Sequence, residues 1–188
     1  MLFPVFLKLA GRRVLVVGGG TVAAGKIAGL VAAGASVHVV APEVRSEIAG
    51  LNVRIERRAF RDSDVDGAWY VVAAAPPHVN RAVLSAGESR RVFVNAVDDP
   101  QHASAYAGGV VRREGVTIAI STDGRAPALA GLLREAFEAW LPAEIDEWMK
   151  AADTARRAWK SQSVPMEERR PQLLQLLNEL YDRKSTPD

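Results

Sequence analysis

Six residues near the start of the chain have a spacing that phosphate chemistry uses: Gly18-Gly19-Gly20-Thr21-Val22-Ala23. The run fits Gly-x-Gly-x-x-Gly/Ala. In that pattern the first glycine, Gly18, makes a tight turn, and the second, Gly20, lets backbone approach a pyrophosphate. The small sixth residue lets a helix close on a strand, and free N–H groups at the helix start meet the phosphates. Alone the pattern is weak, and its position supplies the weight. It lies between a β-branched run, Arg13-Val14-Leu15-Val16-Val17, and a helix-favouring stretch over residues 21–33. Dinucleotide binding is the reading, against a glycine-rich turn in an α/β domain that binds nothing.

An acid that accepts from the adenosine ribose belongs about 20 residues further on. The chain has Ala41-Pro42-Glu43 there, so Glu43 reaches the ribose or backbone groups substitute for it. Arg45 is the nearest candidate for a 2′-phosphate, and the balance favours NAD over NADP. The reacting end of such a cofactor lies past the later strands of an open sheet. Two segments qualify: Ala73-Ala74-Ala75-Pro76, small enough for a flat ring to lie against backbone, and Asn95-Ala96-Val97-Asp98-Asp99-Pro100. Asp98 can act as a general base, hold a cation, or cap the turn before Pro100. Ser121-Thr122-Asp123-Gly124-Arg125-Ala126-Pro127 places hydroxyls, a carboxylate and a cation before a helix, which suits anion binding or ordinary capping. Of the three histidines, His38 reads as a packed or edge residue and His78 as a surface residue near the cofactor. His102, four residues past Asp98, is a weak site candidate. No His-x-x-x-His pair is present.

The elements that must hold these groups follow from pattern. Apolar strands at 13–17, 36–40, 53–55, 69–73 and 92–95 alternate with helices at 21–33 and 77–90. That grammar predicts an α/β fold: a Rossmann-like parallel sheet with helices on both faces. Beyond Pro100 it changes to a β-hairpin at 108–121 around Arg113-Glu114-Gly115, and then to helices. Leu129, Leu132, Leu133, Ala136, Phe137 and Trp140 form one apolar stripe, and Ile145, Trp148, Met149, Ala152, Ala155 and Trp159 a second. Pro165 and Pro171 read as breaks before a last stripe, Leu173 to Tyr181.

Composition sets the bounds. The 188 residues carry 24 Lys and Arg against 22 Asp and Glu, with 48% apolar residues and no cysteine. Disulfides, thiolate metal sites and a cysteine nucleophile are thereby excluded from this chain. Basic residues are spread rather than clustered, which argues against nucleic acid. The longest apolar stretch, residues 68–77, falls short of the ~18 residues a membrane span needs. The start shows no secretory leader, so the expected setting is the cytoplasm.

Together these motifs resemble the free-standing precorrin-2 dehydrogenases and the N-terminal module of siroheme synthase. The resemblance rests on Phe3-Pro4-Val5-Phe6 ahead of Val14-Leu15-Val16-Val17-Gly18-Gly19-Gly20, Lys26, Asn95-Ala96-Val97-Asp98, Ser121-Thr122-x-Gly124-x-x-Pro127 and Leu132-Leu133-Arg134-Glu135. It spans nearly all of residues 1–142, and after Pro142 only helical character matches. It implies NAD-dependent oxidation of precorrin-2 to sirohydrochlorin, with Asp98 as the general base. Some members of the family also insert ferrous iron to give siroheme. Iron would there be a substrate and no metal would be stably bound. The resemblance further implies cofactor contacts at Thr21, Val22, Pro42 and Glu43, with Gly18, Gly20, Ala74 and Asn95 completing the set. Thr122 and Arg125 are the candidates for substrate contact, with Arg112, Arg113 and Arg134 as further rim cations. Thr122 stands where some relatives carry a phosphorylated serine, so that regulation is not carried over.

The expected organisation is a Rossmann domain at 1–107, a dimerisation hairpin and helix at 108–141, and a helical region at 142–188. A homodimer is implied, as is a separate methyltransferase supplying precorrin-2. A module of another class, one that senses NAD(H) without catalysis, is the remaining reading.

Overall fold

The computed structural model describes residues 2–185. They fall into two units that divide between residues 107 and 108, with 123–125 returning to the first.

The first unit is a five-stranded parallel sheet. Its strands are β1 (Arg13–Val17), β2 (Ser36–Val40), β3 (Arg54–Glu56), β4 (Tyr70–Ala73) and β5 (Phe93–Ala96), in the order β3-β2-β1-β4-β5. The β-branched runs make strands because both faces are buried, so no polar alternation is needed. Side chains alternate between two apolar layers. Val14, Val16, Val37, Val39 and Val72 pack on one face with Ala23 and Ile27 of helix α1 (Thr21–Ala32) and Ile48 of the short α2 (Ser46–Ala49). Leu15, Val17, Val40, Val71 and Val94 pack on the other with Val83 and Ala86 of α3 (Pro77–Ser89). Each fully buried Val, Leu or Ile contributes about 1.5–3 kcal/mol, so these layers hold the strand ends that carry the loops.

One polar network interrupts the second layer. His38 on β2 is 7% exposed and lies between Arg13, 2.9 Å from Nδ1, and Glu56, 3.1 Å from Nε2. Arg58 joins Glu56 to Asp64, which is itself buried, and Arg13 also donates to the Asp64 carbonyl at 2.9 Å. His38 is thus a packed core histidine.

In the second unit, the antiparallel hairpin β6 (Gly109–Arg113) and β7 (Val116–Ile120) is followed by α4 (Pro127–Trp140), α5 (Ile145–Ser161) and α6 (Met166–Ser185). Val111, Leu141 and Ile145 form a small core with Val116, Ile118 and Trp148. Arg113 donates to the Leu141 and Glu138 carbonyls at 2.6 and 3.0 Å, capping the carboxyl end of α4. One expectation fails here. Pro171 does not break the chain but lies inside α6, six residues into the helix. A proline at that depth gives up the bond its N–H would make to the Glu167 carbonyl and crowds that carbonyl, yet the helix continues past it. Among the described residues no helix is long and apolar enough to cross a membrane.

Candidate functional site

The strand order reverses at β1: β2 and β3 lie to one side, β4 and β5 to the other. The loops after β1 and β4 therefore part at the carboxyl end of the sheet, where open α/β sheets bind ligands. A cavity of about 660 Å³ lies there. Its walls are Val17, Gly18 and Gly19 after β1, Ala41 to Glu43 after β2, Ala59 and Phe60 after β3, and Ala74 to Pro76 with His78, Val79 and Ala82 after β4.

The glycine run is shaped by backbone on both sides. Gly18 has φ +124°, and a Cβ there would lie 2.2 Å from the Ala74 carbonyl oxygen. A Cβ on Gly19 would lie 2.1 Å from the Glu43 carbonyl oxygen. Hydrogen bonds fix these approaches: Gly18 N–H to the Val40 carbonyl at 3.0 Å, Ala74 N–H to the Val17 carbonyl at 2.8 Å, and Arg45 N–H to the Gly19 carbonyl at 3.0 Å. Gly20 differs, since nothing lies within 4 Å of the place its Cβ would take. It is the N-cap of α1, whose first turn has no side-chain cap and no acidic residue. The N–H groups of that turn lack helical partners and carry the positive end of the helix dipole. Backbone-bare, locally electropositive and open on one side, the cradle fits a pyrophosphate.

Of the residues the sequence offers for the cofactor, Gly18, Pro42, Glu43 and Ala74 line this cavity. Gly20, Thr21 and Val22 stand exposed at the helix start beside it. Asn95 does not line it. It is 5% exposed on β5, and its Nδ2 has no hydrogen-bond partner among the described residues. Asp98 is exposed on the loop after β5 and adopts φ +57°. The preceding Val97 N–H bonds the Ala73 carbonyl at 2.8 Å, which ties this loop to the end of β4. Arg125 is exposed on a segment where a Cβ on Gly124 would touch Tyr106 and Pro100 at 3.3 and 3.6 Å. Thr122 belongs to the second unit, where its hydroxyl accepts from Ala126 N–H at 3.3 Å, one residue before α4. Two other arginines are engaged within that unit: Arg113 on the α4 carbonyls, and Arg134 with Glu138 at 2.6 Å.

Two residues matter more than their local sequence showed. Gly19 is the variable position of the motif, yet it tolerates no side chain. The second, Asn80, bridges the loops after β4 and β5. Among the described residues, His78 and Glu43 are the only lining residues with ionisable side chains, and they stand on opposite sides of the glycine loop, after β4 and β2. Arg45 is engaged elsewhere. It holds both carboxylate oxygens of Glu47 at 3.1 and 2.9 Å, and the guanidinium keeps the Glu47 carboxyl down at about 2.

Comparison with known proteins agrees with this geometry. Residues 5–109 match a protein-family model described as "Putative NAD(P)-binding". The chain belongs to that family. This NAD(P)-binding chain is also 40% identical over 173 residues to a siroheme synthase of Photorhabdus laumondii, and 41% identical over 172 residues to siroheme synthase 3 of Aeromonas hydrophila. Each alignment covers 89% of the chain and 37% of the relative, so the chain spans little more than a third of the length of these relatives. A solved structure of SirC, a precorrin-2 dehydrogenase, superposes with a TM-score of 0.71, covering 93% of this chain and 89% of that one at 24% identity. At that identity the likeness establishes the fold.

Proposed function

We propose that the chain is an NAD-dependent precorrin-2 dehydrogenase, converting precorrin-2 to sirohydrochlorin on the way to siroheme. The observation that carries the reading is the backbone cradle of Gly18 to Gly20 between the Glu43 and Ala74 carbonyls, at the switch point of the sheet. The relatives of this chain supply the tetrapyrrole chemistry. Glu43 on the cavity wall and an Arg45 engaged by Glu47 favour a free 2′-hydroxyl over a 2′-phosphate.

The oxidation removes two hydrogens. When bound, the nicotinamide supplies the redox chemistry by accepting one as hydride. The chain provides the rest. Gly18 to Gly20 and the first N–H groups of α1 bind phosphate, while Pro42 and Glu43 receive the adenosine side. The small residues Ala74 and Ala75 leave room for a flat ring. Asp98 takes the second hydrogen as a proton, and water receives it afterwards. Arg125 offers a cation for the substrate's carboxylates.

The chain works as a homodimer in this reading. Leu129, Leu132, Phe137 and Trp140 form an α4 face that is 38–73% exposed in the single chain, and larger apolar patches of this kind mark interaction sites. Reliance on NAD agrees with a cytoplasmic setting. The test is direct: precorrin-2 and NAD are mixed with purified protein and NADH absorbance is followed. Wild-type protein is expected to produce NADH, and Asp98→Ala to lower kcat by about 10²-fold or more. Absence of NADH with the wild type overturns the reading, and full activity in Asp98→Ala removes Asp98 from it.

A further inference from the structure

The loops after β4 and β5 are joined by a single side chain. Asn80, in the second turn of α3 and 2% exposed, accepts from Ala75 N–H at 3.2 Å through Oδ1 and donates to Asp99 Oδ2 at 3.4 Å through Nδ2. Ala75 lines the cavity, and Asp99 is the neighbour of Asp98. The Asp99 carboxylate is held from a second direction by His102, whose Nδ1 lies 2.8 Å from Oδ1. Arg81, the residue after Asn80, donates from Nε to His102 Nε2 at 3.3 Å. An arginine can only donate, so His102 carries its proton on Nδ1 and donates it to Asp99. Two consecutive residues of α3 thus grip the turn that carries Asp98.

That turn requires holding. Asp98 sits at φ +57°, a left-handed conformation that disfavours residues other than glycine and persists where neighbours over-determine it. The Val97 N–H bond to the Ala73 carbonyl fixes the turn on one side. Asn80 fixes it on the other, from the same helix that supplies the cavity wall.

We propose that Asn80 is a positioning residue. Its carboxamide sets the place of the Asp98 turn relative to the Ala75 wall, so that the proton acceptor and the cofactor-binding loop keep one geometry. The inference rests on the reading of Asp98 as that acceptor. Misplacement of a reacting group by about 1 Å costs as much as ~10²-fold in rate, so loss of the clamp shows in kcat more than in cofactor binding.

Asn80→Asp keeps the acceptor for Ala75 and opposes two carboxylates at Asp99. The exchanged pair Asn80→Asp with Asp99→Asn restores one amide and one carboxylate. Asp99→Ala, at a partly exposed position, removes the contact without touching the buried side chain. The readouts are kcat, KM for NAD, thermal unfolding, and amide hydrogen exchange at residues 97–99.

Asn80→Asp and Asp99→Ala are each expected to lower kcat about 10-fold or more with KM for NAD changed less than about 3-fold, and to speed exchange at 97–99. The exchanged pair is expected to recover both readouts. Unchanged kcat and exchange in folded Asp99→Ala overturns the proposal, as does an exchanged pair that folds like the wild type and recovers neither. Should the wild type fail to oxidise precorrin-2, the proposed reaction falls, while exchange at 97–99 still decides whether the clamp exists.

Discussion

Arg13 donates to Nδ1 of His38 at 2.9 Å, which leaves Nε2 of the same ring to donate to Glu56 at 3.1 Å. The imidazole is thereby committed to its neutral form, because a second proton would face the Arg13 guanidinium. Burial, and then the charges of Arg13 and Arg54, hold the His38 pKa below its ordinary value of 6.5, and Glu56 only partly opposes them. Between the two values the unfolded chain binds the proton and the folded chain does not. This contribution to stability is therefore complete above pH 6.5 and lost as pH falls through the folded value. Hydrogen bonding from Arg58 lowers Glu56; at Asp64 burial is the largest influence and raises the carboxyl, but the hydrogen bonds from Arg58 and the Arg61 N–H, with the Arg58 charge, together outweigh it, so a second loss follows below about pH 4.5. Thermal unfolding against pH is expected to show both declines. His38→Gln is expected to abolish the upper one and retain the lower, and an unaltered decline just below pH 6.5 in that variant contradicts the assignment.

The three glycines of the loop separate folding from binding. Gly19→Ala forces a Cβ to 2.1 Å from the Glu43 carbonyl oxygen, and the resulting backbone shift is expected to cost about 1–3 kcal/mol of stability along with cofactor binding. Gly20→Ala has open space around it and is expected to change stability by less than about 1 kcal/mol. It nevertheless places a methyl group where phosphate would meet bare backbone, so its Kd for NADH is expected to rise about 10-fold or more. Denaturant unfolding and NADH fluorescence on the same preparations check both statements. Equal NADH affinity in Gly20→Ala and wild type would remove the phosphate from that position.

The α4 stripe makes a separate prediction about assembly. Leu132 is 64% and Trp140 73% exposed in the 20.2 kDa chain, and in the proposed dimer a second copy covers them. Sedimentation at micromolar protein is expected to give the dimer mass for wild type and the monomer mass for Leu132→Asp with Trp140→Asp. Buried aromatic anchors carry about 2 kcal/mol or more at interfaces, so the double variant is expected to weaken association by at least about 10²-fold. A wild type that sediments as a monomer excludes the dimer.

What could be read from sequence was what is written locally. The Val-rich run 13–17 and the glycines after it specify a strand, a turn and a helix from neighbouring residues, whereas the strand order is seen only in the folded sheet. The limits lie where partners are distant. Gly19 reads as a free position because the Glu43 carbonyl that forbids its side chain belongs to another loop. Asn80 reads as an ordinary helical residue because Asp99 lies 19 residues away. Pro171 reads as a break because local pattern does not reveal how far upstream the helix has begun. Arg113 reads as a rim cation, and only the return of α4 beside β6 shows its guanidinium capping Leu141.

The cavity is walled largely by peptide groups and hydrocarbon, with Glu43 and His78 as its ionisable linings among the described residues. A ligand gripped in this way is recognised by the course of the main chain. Exchange of Ala41, Ala59 or Ala82 for another small residue alters the width of the slot and little of its hydrogen bonding, so the pocket is free to drift in sequence while keeping its ligand. The same property closes escape routes. An inhibitor that copied the pyrophosphate would be evaded only by moving the loop at Gly18 to Gly20, and that loop is continuous with the strand at the centre of the sheet.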